Sequence, residues 1–437
     1  MTFGFAGTLM RGHAPKEGVM EKQRGTVLLA ASLTSAMFAL CFVFASVLAA
    51  FAAEEVVIGI LSPLTGPAAK FGQLQRNALT MAAEDVNNAG GIKSMGGAKI
   101  RLVFGDTRGE ADIGVTETER LITKEKAHAL IGAFQSGVAF PASAVAERYQ
   151  IPWMTDGTVD KITERGFKYV FRAHSNDSIK GATLVDGIIA LSKRFTPIKS
   201  AVIFSENTEW GKSVGDKQKN FLERHGVKVH YVEHYPYASA DLTSMIVKAK
   251  GLQPELVIAN SYLGDALLIT RQMSEQELRP TAYAAGGGGH LQPDFLKGAG
   301  KLSQGLLAAT NWAPAVGKSV PWIKRENDRF MARFGTPLAE DSARYYQSFQ
   351  VIVDALERAK TTSPKELRDA IAATNITDIN HKAMMVPYKQ LKFDETGQNP
   401  NATAMVVQIQ GPEYRLVYPD YVAEPDAKPI WPYPQSK

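Results

Sequence analysis

The sequence predicts an α/β fold of two similar lobes, each a parallel sheet flanked by helices, and three observations carry that expectation. From Val56 onward, short apolar runs alternate with longer amphipathic stretches, as strands buried on both faces and joined by covering helices do. Two successive sets of such units occur, each long enough for one lobe. Of the 437 residues, those from 54 onward are too many for one ordinary core and about right for two domains.

The N-terminus reads differently from the rest. Residues 26–53 run TVLLAASLTSAMFALCFVFASVLAAFAA behind Lys22 and Arg24, the pattern of a secretory signal peptide. Length alone would permit a membrane anchor. The small-residue end Ala50-Phe51-Ala52 and the abrupt change to EEVVIGILSPLTG favour cleavage, so residues 1–53 are expected to be a signal peptide and the mature protein periplasmic. Met20 would give a leader of ordinary length, which makes 1–19 a candidate mis-annotated start. Cys41 is the only cysteine and lies in this leader, so the chain beyond it can form no disulfide. Lipidation of Cys41 would want a small residue before it, and Leu40 stands there. Removing the leader's four basic residues (Arg11, Lys16, Lys22, Arg24) and two acidic ones (Glu17, Glu21) from totals of 49 and 44 leaves a near-neutral body. Such a balance argues against nucleic acid as a partner.

The elements follow in order. Strands are expected at 56–61, 100–105, 129–131, 151–154, 200–204, 227–232, 256–259 and 281–284. Helices are expected at 73–88, 114–124, 140–148, 211–225, 241–250 and 265–276. A strand at 306–310 and helices at 320–333, 342–360 and 364–374 come next. Segment 388–393, the turn 394–397 and the run 404–409 read as a late β-hairpin. Ligands of open parallel sheets sit beyond the carboxyl ends of the strands, which in two facing lobes is the cleft between them.

No catalytic apparatus is visible: there is no G-x-S-x-G, no P-loop, no H-E-x-x-H and no cysteine nucleophile after the leader. The chain is expected not to be an enzyme and to need no cofactor. Gly286 to Gly289 do not open a dinucleotide loop, because the sixth position of a G-x-G-x-x-G beginning at Gly286 is Leu291; close backbone approach is their expected role. His230 and His234 would share a helical face, but their stretch reads as a strand end, so no metal site is expected. Loop 132–137 follows a strand and precedes a helix, so Ser136, Gly137 and nearby amides form a candidate anion site. Thr158, after the next strand, offers a hydroxyl and further amides. Helix capping by Ser and Thr accounts for the same spacing equally well.

The segments IGILSPLTGPAAKFGQ (58–73), ALTMAAEDVNNAGGI (78–92), IGAFQSGVAFPASAVAERYQIPWMT (131–155), TERGFKYVFR (163–172) and FDETG (393–397) resemble, in order and spacing, the branched-chain amino-acid-type solute-binding proteins of ABC importers. The resemblance covers essentially everything after the leader. It implies two Rossmann-like lobes joined by three crossings, one of 54–176 plus 313–403 and the other of 177–312 plus 404–437, that close around ligand by hinge motion. It also implies a monomer that serves membrane permease subunits driven by a separate ATPase. Carried over residue by residue, it implies that Ser136 and Thr158 hold a ligand carboxylate, while Phe71, Tyr262 and Trp210 wall the pocket. One position departs from the pattern. The acidic residue that pairs with a ligand ammonium is replaced by Ala284-Ala285-Gly286-Gly287-Gly288-Gly289, leaving Asp265 or Glu206 to supply the charge and the four glycines, Gly286 first, to make room. The expected ligand is a small carboxylate-bearing solute, an amino acid or an aromatic or aliphatic acid. Alternatives are a short amide or urea, and a ligand-sensing module without transport.

Overall fold

The computed structural model of the protein describes residues 55–434 together with the isolated Met1 and Gly12, so the expected leader, with Met20 and Cys41, lies outside them. Among the described residues no helix is long and apolar enough to cross a membrane. The chain begins with β1 (Val56–Ser62), α1 (Ala69–Asn88), β2 (Ile100–Asp106), α2 (Ala111–Thr123), β3 (Ala129–Gly132), α3 (Ser136–Tyr149), β4 (Trp153–Thr155) and β5 (Val170–Phe171). All seven residues of β1 are buried, because helices cover both faces of its sheet.

A second run follows: α4 (Asp177–Arg194), β6 (Ser200–Glu206), α5 (Glu209–Arg224), β7 (Lys228–Tyr235), α6 (Thr243–Lys250), β8 (Leu256–Asn260), α7 (Leu263–Glu275), β9 (Ala282–Ala285), α8 (Pro293–Ala299) and β10 (Leu307–Thr310). Then come α9 (Pro321–Phe334), α10 (Glu340–Ala359), α11 (Pro364–Ala372), β11 (Asn375–Ile376) and β12 (Leu391–Lys392), and last β13 (Met405–Gln410) and β14 (Glu413–Tyr418). Side-chain caps start α4 and α5: Asn176 accepts from the Ile179 amide at 3.0 Å and Thr208 from the Gly211 amide at 3.1 Å.

The first sheet has order β2-β1-β3-β4-β5, all parallel, and the second β14-β13-β10-β9-β8-β6-β7. Strands β7-β6-β8-β9-β10 repeat the first sheet's order, and antiparallel β13 and β14 extend that sheet. The strand order reverses at β1/β3 and at β6/β8, and open α/β sheets take ligands beyond the carboxyl ends of such strands. Helix α10 belongs to the first sheet's side although it follows the second sheet's β10. It lies along α1 and reaches β3, with Tyr345, Phe349 and Ile352 fully buried. The chain therefore passes between the sheets three times: after β5, after β10 and before β13.

Each strand expected between residues 56 and 310 is present within a few residues. The late hairpin is a correction. Segment Leu391–Lys392 pairs with Asn375–Ile376, whereas Met405–Gln410 lies between β10 and β14 in the other sheet. The FDETG turn joins no hairpin. Its Gly397 carbonyl accepts from the Arg172 amide at 2.8 Å, a parallel bridge beside β5. Alternating apolar residues gave the strands correctly but carried no information about which partner each would find. His230 and His234 lie on β7, and among the described residues no group of His, Cys, Asp and Glu could hold a metal.

Candidate ligand-binding site

Loops at the carboxyl ends of both sheets line a cavity, with Phe71, Ser136, Thr158, Lys180, Trp210, Tyr262 and Arg344 among the residues that face it. On the first sheet's side, α3 begins at Ser136 with no side-chain cap, because the preceding Gln135 does not provide one. The Ser136 hydroxyl is committed elsewhere: its oxygen accepts from the amides of Thr158 at 3.1 Å and Val159 at 3.3 Å. With both lone pairs occupied, Ser136 Oγ has only its hydrogen left to give, which makes it a donor to an acceptor in the cavity.

The Thr158 loop is held from beneath by fully buried Arg172. Its Nη1 donates to the carbonyls of Thr158 and Val159 at 2.9 and 3.0 Å, its Nη2 to Thr163 Oγ1 at 2.7 Å, and its Nε to Gln398 Oε1 at 2.9 Å. Five rigid donors on one planar group fix several turns of loop at once.

An aromatic wall crosses from one side to the other. Phe71 stacks on Phe134 with centroids 4.5 Å apart, both approach Tyr262 at 5.7 and 5.5 Å, and Tyr262 stacks on Trp210 at 5.2 Å. Phe71 and Phe134 follow β1 and β3, whereas Trp210 and Tyr262 follow β6 and β8. All four are buried, and offset or tilted rings at these separations contribute about 0.5–1.5 kcal/mol a pair beyond their area.

The floor is charged. Glu340, Asp341 and Arg344 stand on the first turns of α10, all buried. Lys180 on α4 donates to both Glu340 oxygens at 2.8 and 3.1 Å, and Glu340 also accepts from the Asn311 amide at 2.7 Å. Arg344 Nη2 donates to Asp156 Oδ2 at 2.9 Å. Asp341 accepts from Gln75 at 3.0 Å on one side of the cleft and from Gln292 at 2.9 Å on the other. Burial would raise the Glu340 carboxyl, but Lys180 and Arg344 outweigh it and hold the group below its ordinary range. For Asp341 burial prevails over Gln292 and Arg344 and the carboxyl is raised. Burial carries Asp156 up to about 8 against the pull of Arg344.

Of the residues singled out from sequence, Phe71, Ser136, Thr158, Trp210 and Tyr262 line this cavity. The others stand elsewhere. Gly137 does not line the cavity, and a Cβ there would meet that of Glu209 at 3.7 Å. Asp265 accepts from the amides of Ala238 at 2.9 Å and Ser239 at 3.1 Å and so fastens the loop after β7. Glu206 is fully buried and accepts from the Tyr262 amide; burial raises its carboxyl well above the ordinary range. Neither acid lines the cavity. Gly286 opens no space, since a Cβ there would lie 2.3 Å from Asn260 Oδ1 and 2.8 Å from Gln218 Nε2. The glycine that faces the wall is Gly288, at φ +63, where a Cβ would meet Trp210 at 2.8 Å. Sequence reading missed Lys180, Asp156, Glu340, Asp341 and Arg344. The available signal was the i, i+4 pair of Glu340 and Arg344 at the start of an apolar-striped helix, charge where the stripe calls for core.

The family model described as periplasmic binding protein matches residues 55–413. The chain belongs to the periplasmic binding protein family. Within it, this periplasmic binding protein is 30% identical over 393 residues to Leu/Ile/Val-binding protein homolog 7 of Brucella melitensis, covering 86% of this chain and 94% of that one. It is 29% identical over 381 residues to homolog 8 of Brucella abortus, covering 85% and 92%. Among solved structures, a leucine-binding protein from Thermotoga maritima superposes with a TM-score of 0.72 at 22% identity, covering 84% of this chain and 99% of that one. A solute-binding protein of an ABC transporter from R. palustris, solved in complex with benzoate, gives 0.71 at 20% identity, with coverages of 83% and 95%. At these identities the two structures bear on the fold. The family model and the Brucella relatives place the chain among periplasmic binding proteins of the Leu/Ile/Val-binding type.

Proposed function

We propose that this chain, exported behind a cleaved leader, captures a small zwitterionic amino acid between two lobes and delivers it to a membrane permease powered by a separate ATPase, without turning it over. The lobes would comprise 54–176 plus 313–403 and 177–312 plus 404–437. The observation that carries the reading is the make-up of the cavity wall, where Lys180 and Arg344 face three acidic side chains, Asp156, Glu340 and Asp341. A plain anion would add negative charge beside three acids that two cations already have to serve, whereas a zwitterion adds none and brings an ammonium that the third acid, Asp156, can meet as a carboxylate. Its carboxylate has the uncapped start of α3 and the spare hydrogen of Ser136. Asp265 and Glu206 are not needed for this role.

A second reading is an aromatic carboxylate. It is favoured by the wall of Phe71, Phe134, Trp210 and Tyr262. Thermal-shift measurements with amino acids, their desamino carboxylates, aromatic acids, and short amides or urea separate the cases, because ligand bound only to the folded state raises the melting temperature. Amino acids are expected to raise it. A rise with benzoates or desamino acids alone would replace the first reading with the second. For the clamp, Thr158→Val is expected to weaken binding about tenfold, the loss of one hydrogen bond of about 1.5 kcal/mol. An unchanged Kd would remove Thr158 from the site.

A further inference from the structure

Asp156 and His174 meet beside the cavity floor, 2% and 0% exposed, with Asp156 Oδ1 and His174 Nε2 3.6 Å apart. Neither atom has a hydrogen-bond partner. The tautomer follows from the other ring nitrogen, since His174 Nδ1 lies 3.0 Å from the Ser175 carbonyl, which can only accept, so the ring hydrogen sits on Nδ1. Nε2 is then a bare lone pair aimed at a carboxylate oxygen. The other oxygen of Asp156 is taken by Arg344. Two buried acceptors left facing each other are costly, and one proton between them satisfies both.

We infer that the Asp156–His174 pair stores one exchangeable proton, which an ammonium-bearing ligand displaces on binding and a plain carboxylate does not, making Asp156 a residue that determines specificity. The displacement, though not the stored proton, rests on the zwitterion reading above. The groups around the pair decide which partner holds the proton. Arg344 with Glu340, Asp341 and Tyr345 face it from α10, Arg172 from the end of β5, Lys180 from α4, and Tyr262 from the loop after β8. The cations Arg344, Arg172 and Lys180 oppose a charged ring, and burial together with Arg344 keeps His174 well below its ordinary range. The carboxyl therefore carries the hydrogen. In that state the wall balances, Lys180 and Arg344 against Glu340 and Asp341. A ligand ammonium restores the balance without the hydrogen, so the neutral acid loses H⁺ to solvent as the zwitterion enters and becomes carboxylate. A ligand anion gives no reason for that release.

Calorimetry of L-leucine binding at pH 6.5, in phosphate and in Tris, reads the released proton as a difference in heat set by the buffers. Close to one proton is expected, with the Kd falling about tenfold between pH 5.5 and 6.5 and levelling off near pH 8. The desamino analogue 4-methylpentanoate is expected to release none. Asp156→Asn keeps an acceptor for Arg344 and supplies an N–H to His174; it is expected to abolish both the buffer dependence and the pH slope. L-leucine binding with equal heats in the two buffers would overturn the displacement. If neither L-leucine nor any other amino acid binds, the zwitterion reading falls, and the stored proton is decided without ligand. The side-chain carboxyl carbon signal in ¹³C-Asp-labelled protein that disappears in Asp156→Asn should report a neutral acid at pH 6, and a fully ionised carboxylate there sinks it. If the variant does not fold, the buffer and pH arms on the unaltered protein still decide the displacement.

Discussion

At the scale of single residues, the cleft depends on a few small positions as much as on its charged ones. Gly288 holds a positive φ directly against Trp210. Gly288→Val is expected to push the indole out of its stack on Tyr262, shifting the tryptophan emission and weakening ligand binding tenfold or more; unchanged fluorescence and Kd would count against this contact. Gly286→Glu is expected to have a different effect from the one its place in the glycine run suggests. It would drive a side chain into the Asn260–Gln218 hydrogen bonds and lower the melting temperature without favouring amino acids. Sequence reading located the hydroxyls and the aromatics, because strand-to-helix loops and large rings announce themselves. The two acids it offered to a ligand ammonium, Asp265 and Glu206, do not line the cavity. Charges that satisfy one another across the fold, such as Glu340 with Lys180, lie 160 positions apart in the chain and leave no local pattern.

At the scale of elements, Arg172 reaches under the loop after β4 and holds several of its carbonyls at once. Arg172→Ala is expected to cost about 3–5 kcal/mol, since several buried carbonyls lose their donor together, and to speed amide exchange through residues 157–163. Exchange as slow as in the unaltered protein would show that the loop holds itself. Helix α10 carries the other half of the floor. Its extent was legible from its apolar spacing, within two residues at the start, whereas its function was not. The late hairpin was misread for a related reason: period-two alternation identifies strands, but pairing partners are chosen by contacts far off in the chain.

At the scale of the whole molecule, the two sheets meet across the cleft through side chains that close it. Lys217 of α5 lies 2.5 Å from Asp160, just past the Thr158 loop, and Lys70 lies 3.6 Å from Asp294. The first bridge is partly exposed, so solvent screens it. Lys217→Met is expected to raise the Kd two- to fivefold, mainly through faster dissociation, with the melting temperature nearly unchanged. Unaltered dissociation would mean the bridge does nothing for closure. The two-lobed fold class was legible from the alternation of strands and helices; the order of strands within each sheet was not. The three passages of the chain between the sheets have one more consequence. The first sheet is roofed by α10, and the second receives β13 and β14 only after residue 404, so neither half is complete in an N-terminal fragment that ends before α10. A chain wired this way, threaded N-terminus first through a narrow pore, cannot finish folding behind the pore before most of its length has passed.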